Sequence, residues 1–333
     1  MICPVCGNDT FDNKDFEYSI CGECFWEYDL VQLNDPDFAG GANHHSLNGY
    51  RKIYQQLKNA NPSFSCKNEA DKKLIISFDK RPQMVFELDD TSKVSNLFDG
   101  WNETLIYSCI QKVMGKIFVT DIDNPKSAFA YVGCFGFFAG EPDKELVINK
   151  PDGFVIMIPQ NEAWAKLIKE CFPAAKQVTR YAIKKNTVFD EQLLRNNILM
   201  LPEGYELKKI DAEIYDKCFE SSFTEDFVSS FANKEQFLKL GRGMVILKDE
   251  KIVAGASSYT RYLDGIEIEV DTIPDERRKH LATIACSALI LNCLKEGLYP
   301  SWDAQNMNSV RLAQKLGYEY DNEYLAYEVT DDE

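Results

Sequence analysis

Histidine is scarce, with three in 333 residues and two of these adjacent at His44 and His45. A Ser/His/Asp triad needs a histidine set between nucleophile and carboxylate, so that chemistry is disfavoured. Long hydrophobic runs are missing too; none reaches the roughly 18 residues of a membrane-spanning helix. The start, Met1-Ile2-Cys3, lacks the basic-then-apolar order of a secretory signal, and a cytoplasmic location is expected. Positive charge is outweighed: 37 Lys/Arg face 53 Asp/Glu, a net charge of −16. Phosphate backbones and anionic membranes are bound by clustered cations, so neither partner is expected. The acidic balance suits a cationic small substrate, or serves only solubility. No Walker or dinucleotide fingerprint is found.

What is present supports packed cores. The chain is 45% hydrophobic and 12% aromatic, and its length leaves room for two or three domains. Eleven cysteines in a cytosolic chain read as thiols or metal ligands rather than disulfides. Cys3-Pro4-Val5-Cys6 and Cys21-Gly22-Glu23-Cys24 are two Cys-x-x-Cys knuckles 14 residues apart. Four thiolates suit a closed tetrahedral zinc site. A redox pair is the other reading of such a motif, but its usual βαβ setting is absent here. So small a unit lacks a sufficient core, and a structural Zn2+ would hold it together. His44 and His45 are better read as a polar turn than as ligands.

Along the chain, 46–57 has helical spacing, and Asn59 to Lys73 is polar enough to read as a linker. Strands are expected at 74–78 and 83–88, a helix at 103–114, strands at 116–121, 128–138 and 154–158, a helix at 161–171 and a strand at 179–184. The aromatic run Phe129, Tyr131, Phe135, Phe137 and Phe138 is read as core. The resulting division is a cysteine-rich domain over 1–58, an α/β domain over 67–190 and a second α/β domain over 191–333. In the last, strands 318–321 and 324–329 are expected to close the sheet as an antiparallel pair.

Residues 263–297 organise that last domain. Gly265 to Thr272 alternates apolar and acidic residues, the period of a strand with one covered face. Pro274 ends it. The basic run Arg277-Arg278-Lys279-His280 then leads into Leu281-Ala282, which opens a helix closed by Gly297. A basic loop feeding a helix N-terminus can bind an anion through free N–H groups and the helix dipole, or can be a plain solvated cap.

The run Arg277-Arg278-Lys279-His280-Leu281-Ala282 resembles the Gln/Arg-x-x-Gly-x-Gly/Ala loop of GNAT N-acetyltransferases, with His280 in place of the first glycine. A histidine there keeps its N–H available when φ is negative. Downstream, Asn306, Ser309, Leu312, Ala313, Lys315, Gly317 and Tyr318 match that family's following helix in order and spacing. The stretch Val270–Tyr318 is most similar to the GNAT subfamily that includes the zwittermicin A resistance acetyltransferase. Cys3-Pro4, Cys6-Gly7, Cys21, Cys24-Phe25-Trp26-Glu27, Asp35-Pro36-Asp37, Gly40-Gly41 and Ser46-Leu47 resemble the cysteine-rich CPCC domain, which implies metal binding by Cys3, Cys6, Cys21 and Cys24.

The resemblance implies a mixed α/β (α+β) GNAT fold with a mostly antiparallel central sheet. It would be preceded by a second, GNAT-like half without a coenzyme loop and by a zinc-ribbon-like domain. The implied activity is acetyl-CoA-dependent N-acetyltransfer to a primary amine of a small cationic molecule. The pyrophosphate would be held by Arg277, Arg278, Lys279, His280, Leu281 and Ala282, and the pantetheine arm by the backbone of Val270 and Thr272. Asn306 and Ser309 either meet the coenzyme or only cap their helix. A strand carboxylate is implied as general base: Glu269 first, then Glu267, with Asp271 too near the pyrophosphate. Each of these is also consistent with a solvated strand face. Ala313 stands where the family often has a tyrosine acid, leaving Tyr318, Tyr324 or Tyr327 as substitutes, or unassisted loss of the thiolate. The alternative function is a non-catalytic CoA or acyl-CoA sensor, with the zinc unit docking a protein partner or a second copy.

Overall fold

The computed structural model describes residues 2–10, 19–79 and 85–330. The chain forms two compact units, residues 1–84 and 85–333.

In the first unit the two knuckles fold alike. The amide of Cys3 donates to the Asn8 carbonyl and that of Cys21 to the Trp26 carbonyl. The residue after each second cysteine, Gly7 or Phe25, takes a positive φ and donates back to the first cysteine's carbonyl. One antiparallel bridge brackets each turn, Ile2 with Asp9 and Ile20 with Glu27. Helix Leu47–Ala60 is capped by Ser46 and buries Leu47, Tyr50, Tyr54 and Leu57, as its spacing required. Two readings are corrected. The stretch taken as a linker buries Phe64 and Cys66 in the same core. Residues 74–78 lie in helix Glu69–Phe78, not in a strand, because Asn68 caps the first turn and Glu69 and Asp71 favour its positive end. Of the strand expected at 83–88, Phe86–Glu87 is observed; residues 83 and 84 lie outside the described residues.

The second unit carries thirteen strands among the described residues. They are β1 (Phe86–Glu87), β2 (Lys116–Val119), β3 (Ser127–Val132), β4 (Phe135–Gly140), β5 (Val155–Pro159), β6 (Lys176–Ile183), β7 (Tyr205–Lys209), β8 (Gly243–Lys248), β9 (Lys251–Tyr262), β10 (Gly265–Thr272), β11 (Tyr299–Ser301), β12 (Asp303–Ala304) and β13 (Tyr320–Val329). They form two mixed sheets, β1-β2-β3-β4-β5-β13-β6-β12 and β11-β10-β9-β8-β7. Only the β4–β5 and β10–β11 pairs are parallel.

The expected strand over 128–138 is a hairpin. Gly133 turns it at φ +61°, and a Cβ there would collide with the Tyr259 hydroxyl. The aromatic run divides by the period of two. Phe129 and Phe138 stack on one face with Trp164, while Phe137 joins Ala128 and Ala130 on the other. That second face shares its core with Ile210, Phe227 and Val245, so both sheets enclose one apolar interior.

The C-terminus also differs from expectation. Residues 320–329 are one strand, with a register shift between Tyr320 and Glu323 absorbing the apparent break at Asn322-Glu323. It does not pair with itself; it fills the gap between β5 and β6 in the first sheet. Helix Leu281–Lys295 is almost wholly buried, and its Ile284, Ala285 and Leu289 pack with Ile266 and Ile268 of β10.

Replacing Phe138, fully buried and 4.5 Å centroid to centroid from Phe129, leaves a cavity on the Trp164 face of the first sheet. Phe138→Ala is expected to cost about 3–5 kcal/mol in urea unfolding of the second unit. A loss below about 1 kcal/mol would contradict this packing.

Candidate active site

β10 and β11 run parallel through only three residue pairs, the last being Glu267 with Ser301. One residue later the chain has changed sheets: Trp302 separates β11 from β12, and Asp303 pairs with Ala182 of β6. β10 continues to Thr272 against β9 alone. Its outer edge beyond Glu267 is therefore uncovered, and it borders a cavity of about 960 Å³. A bulge on β9 at this level, where Glu267 faces Thr260 and Ile268 faces Ser258, turns Tyr259 toward the same space.

At one end of the cavity lies the basic loop. Pro274–Glu276 form a short 3-10 turn, and helix Leu281–Lys295 begins without a side-chain cap. Arg278 and His280 both take left-handed backbone, at φ +66° and +64°. The negative φ under which a histidine there keeps its N–H available is therefore not adopted. Left-handed backbone costs a non-glycine residue about 1–3 kcal/mol and persists where its surroundings enforce it. Beside these residues Glu276 lies buried and accepts from Lys248 at 2.9 Å, from Lys279 at 2.7 Å and from the Tyr205 hydroxyl. These hydrogen bonds hold its carboxyl down to about 2. Lys279 is thereby drawn back onto Glu276 and Tyr205 and does not line the cavity, whereas Arg277, Arg278, His280, Leu281 and Ala282 do. Arg277 is tied to the strand end, its Nε donating to the Thr272 carbonyl at 3.0 Å.

Val270 lies on the uncovered edge. Thr272 lines the cavity too, but its amide already donates to Asp271 Oδ1 at 2.6 Å. Asn306 and Ser309 also border the space. Asn306 caps helix Met307–Lys315, accepting from the Asn308 and Ser309 amides, and Ser309 Oγ accepts from the Trp302 indole at 3.0 Å. The free helix start, the open strand edge and the exposed guanidinium groups suit an anionic chain with an amide arm, the chemistry of acetyl-CoA.

The carboxylates of β10 part company. Glu269 faces the cavity, and burial, then Asp226 and Asp271, push its carboxyl up to about 7. Glu267 is only 4% exposed and accepts from the Thr104 hydroxyl. Burial pushes it up to about 7 as well, against the pull of Lys185. Lys185 forms a buried ion pair with Glu103 at 3.9 Å. Glu267 and Glu269 both line the cavity, but Glu269 is the more accessible, while Glu267 is also held in a buried polar cluster.

Of the substitute tyrosines, Tyr318 is buried with its hydroxyl on the Pro300 carbonyl, and Tyr327 belongs to the core beneath the first sheet. Tyr324 alone of the three lines the cavity, donating to Asp303 Oδ2 at 2.8 Å. Residues with no local signal complete the far end: Glu103, Cys134, Phe135 and Arg180 from 85–190, and Asp226 and Tyr259 from the later part. Sequence distance hid them. The shared core brings them to β10.

In the first unit the Sγ atoms of Cys3, Cys6, Cys21 and Cys24 all lie within 4.8 Å of one another. Cys3 is 3.6 Å from Cys24, and Cys6 is 3.7 Å from Cys21. A tetrahedral Zn2+ with Zn–S of about 2.3 Å has edges of about 3.8 Å, so the thiols fit that ion. The backbone of His45 is held by Asp79, and no histidine joins the set among the described residues.

Comparison with known proteins agrees with this geometry. Residues 95–327 match the family model described as GNAT acetyltransferase, and residues 1–71 match cysteine-rich CPCC. A crystal structure of a GCN5-related N-acetyltransferase-like protein from Streptococcus suis 89/1591 is 44% identical, with a TM-score of 0.69 over 72% of this chain and 98% of that one. The Bacillus subtilis (strain 168) protein YdfB, described as an uncharacterized N-acetyltransferase, is 25% identical over 256 residues, covering 71% of this chain and 94% of its own. No helix among the described residues is long and apolar enough to cross a membrane. With the family model spanning nearly all of the second unit, and the parted strands and helix-start loop where its chemistry requires them, this chain belongs to the GNAT acetyltransferase family.

Proposed function

We propose that this acetyltransferase moves the acetyl group of acetyl-CoA to the primary amine of a small cationic molecule, with Glu269 as general base. The observation carrying this reading is the placement of Glu269 on the cavity wall at the strand divergence, between the basic loop and a second, acid-rich end. Bound acetyl-CoA supplies an activated acyl thioester. The first-turn amides of helix Leu281–Lys295 and the guanidinium groups of Arg277 and Arg278 hold its diphosphate. The edge of β10 at Val270 pairs with its amide arm as an added strand would. Lys279 acts one step removed, by fixing Glu276 and so the loop.

An amine arrives as an ammonium and has no lone pair until a proton leaves. Glu269 takes that proton. Burial and the neighbouring Asp226 and Asp271 push its carboxyl up to about 7, near neutral pH, where a base works best. The same carboxylates draw a cation into the cavity. Asp271, half exposed and 3.7 Å from Arg277, balances the loop instead. For the first unit we propose a structural Zn2+ on Cys3, Cys6, Cys21 and Cys24.

Arg277→Ala is expected to weaken CoA binding about tenfold by calorimetry, the share of one charge-assisted contact. Unchanged affinity would remove this residue from the diphosphate site. The pH dependence has a definite sign. Below about 7 the Glu269 carboxyl is protonated and cannot accept, so kcat rises with pH and levels off above an inflection near 7. Glu269→Gln should abolish the inflection and lower kcat by about 100-fold or more with CoA affinity kept. Glu267→Gln should retain the inflection, and the opposite pattern would transfer the role to Glu267. Metal analysis should find one zinc per chain, and chelation should release Trp26 from its buried position, read by its fluorescence. A metal-free protein with Trp26 still buried would refute the zinc assignment.

A further inference from the structure

The acceptor end of the cavity contains one guanidinium, and it is built in from four strands. Arg180 on β6 is 8% exposed and lines the cavity. Its Nε donates to Asp303 Oδ1 on β12 at 2.9 Å, and one terminal nitrogen donates to the same oxygen. The other oxygen of Asp303 accepts from Tyr324 on β13. The guanidinium carbon lies 4.7 Å from the ring centre of Phe135 on β4, a cation–π contact, and Tyr259 meets that ring edge-on at 5.5 Å. The Tyr324 hydroxyl is a second hydrogen-bonding neighbour of the guanidinium; Asp303 and Tyr324 together leave N–H groups over, and the neighbours fix the plane in which these donate.

A planar donor held on three sides, with one N–H edge left over on a cavity wall, is preorganised for a ligand oxygen. The charge around it decides which kind of oxygen. Glu103, Glu267, Glu269 and Asp303 border this end, against Arg180 itself and the buried Lys185. A further carboxylate would meet net repulsion, whereas an uncharged carbonyl or hydroxyl accepts the bond without adding negative charge. The remaining wall, from Leu105, Phe135, Phe137 and Ile156, is apolar.

We propose that Arg180 recognises the acceptor, and that the acceptor carries an uncharged oxygen, an amide carbonyl or a hydroxyl, beside its amine on an apolar body. This rests on the reading of the cavity as an amine-acetylating site. Arg180 comes from the part of the unit that has no coenzyme loop, which gives that part a role in specificity.

The test compares three probes of one shape: L-phenylalaninamide, phenethylamine and L-phenylalanine. With the intact protein, kcat/KM taken on the free-amine fraction of each probe should be highest for the amide, about tenfold or more above phenethylamine, the share of one hydrogen bond to a charged group. It should be lowest for the free acid. Arg180→Lys keeps a charge beside Asp303 but loses the planar fork, and should collapse the amide-to-amine ratio about tenfold, chiefly through KM. Because an unpaired Asp303 could cost the fold, the double variant Arg180→Met with Asp303→Asn is measured alongside, with acetyl-CoA binding as the check of folding. It too should lose the ratio. An unchanged ratio in both variants would overturn the proposal. So would an equal fall in kcat for all probes, since that is the signature of a group acting on the thioester carbonyl. A free acid preferred over the amide would overturn the uncharged oxygen. Turnover of none of the amines by a protein that still binds acetyl-CoA would overturn the acceptor reading itself and this proposal with it.

Discussion

Two parallel strands separate inside a protein only if their main-chain groups find other partners, because an unpaired buried amide or carbonyl is costly. In this chain β11 leaves β10 after Ser301 and, across Trp302, becomes β12 on the edge of the other sheet. The departing strand is satisfied by β6. The one left behind is not, and its open edge needs water or a ligand. Much of the site follows from that divergence. It opens the cavity and sets the amides of helix Leu281–Lys295 at one end. It also places Glu269, two residues past the last shared pair, where the two ends meet.

Opposed charges organise the two ends. At the loop, Glu276 gathers Lys248, Lys279 and Tyr205, beside Arg278 and His280 in left-handed backbone. That carboxylate borders the cavity with its charge already matched by two lysines. At the other end carboxyl groups predominate, and burial raises Glu267 and Glu269 alike toward neutrality. Equal proton affinity does not make equal roles. Both line the cavity, but Thr104 holds Glu267, which is 4% exposed, whereas Glu269 is the more accessible. Geometry, more than acidity, separates the proposed base from its neighbour.

What could be read from the residues was local in origin. The strand Gly265–Thr272, the capping signal at Asn306 and the paired Cys-x-x-Cys turns each specify their own conformation within a few residues, and each is observed, although Gly265 to Ile268 is buried on both faces where the alternation implied one. Readings failed where the deciding partner was distant. Asn322-Glu323 looks like a break between two strands, but β5 and β6 draw residues 320–329 into one strand. Lys279 looks like a phosphate ligand until Glu276 and Tyr205 are placed beside it. A negative φ at His280 would have kept its N–H available, yet the loop imposes a positive one. Arg180 gave no signal, since its partners Phe135, Asp303 and Tyr324 lie 45 to 144 residues away in sequence.

At the centre stands one proposal: the edge left by the strand divergence and the helix start beside it receive the coenzyme. Amide hydrogen exchange with and without acetyl-CoA tests this most directly. Binding should slow exchange at Ile268 to Val270 and at Leu281 to Thr283 together, and leave the outer strands β1 and β7 unchanged. Coenzyme binding that leaves both segments exchanging as before would contradict it.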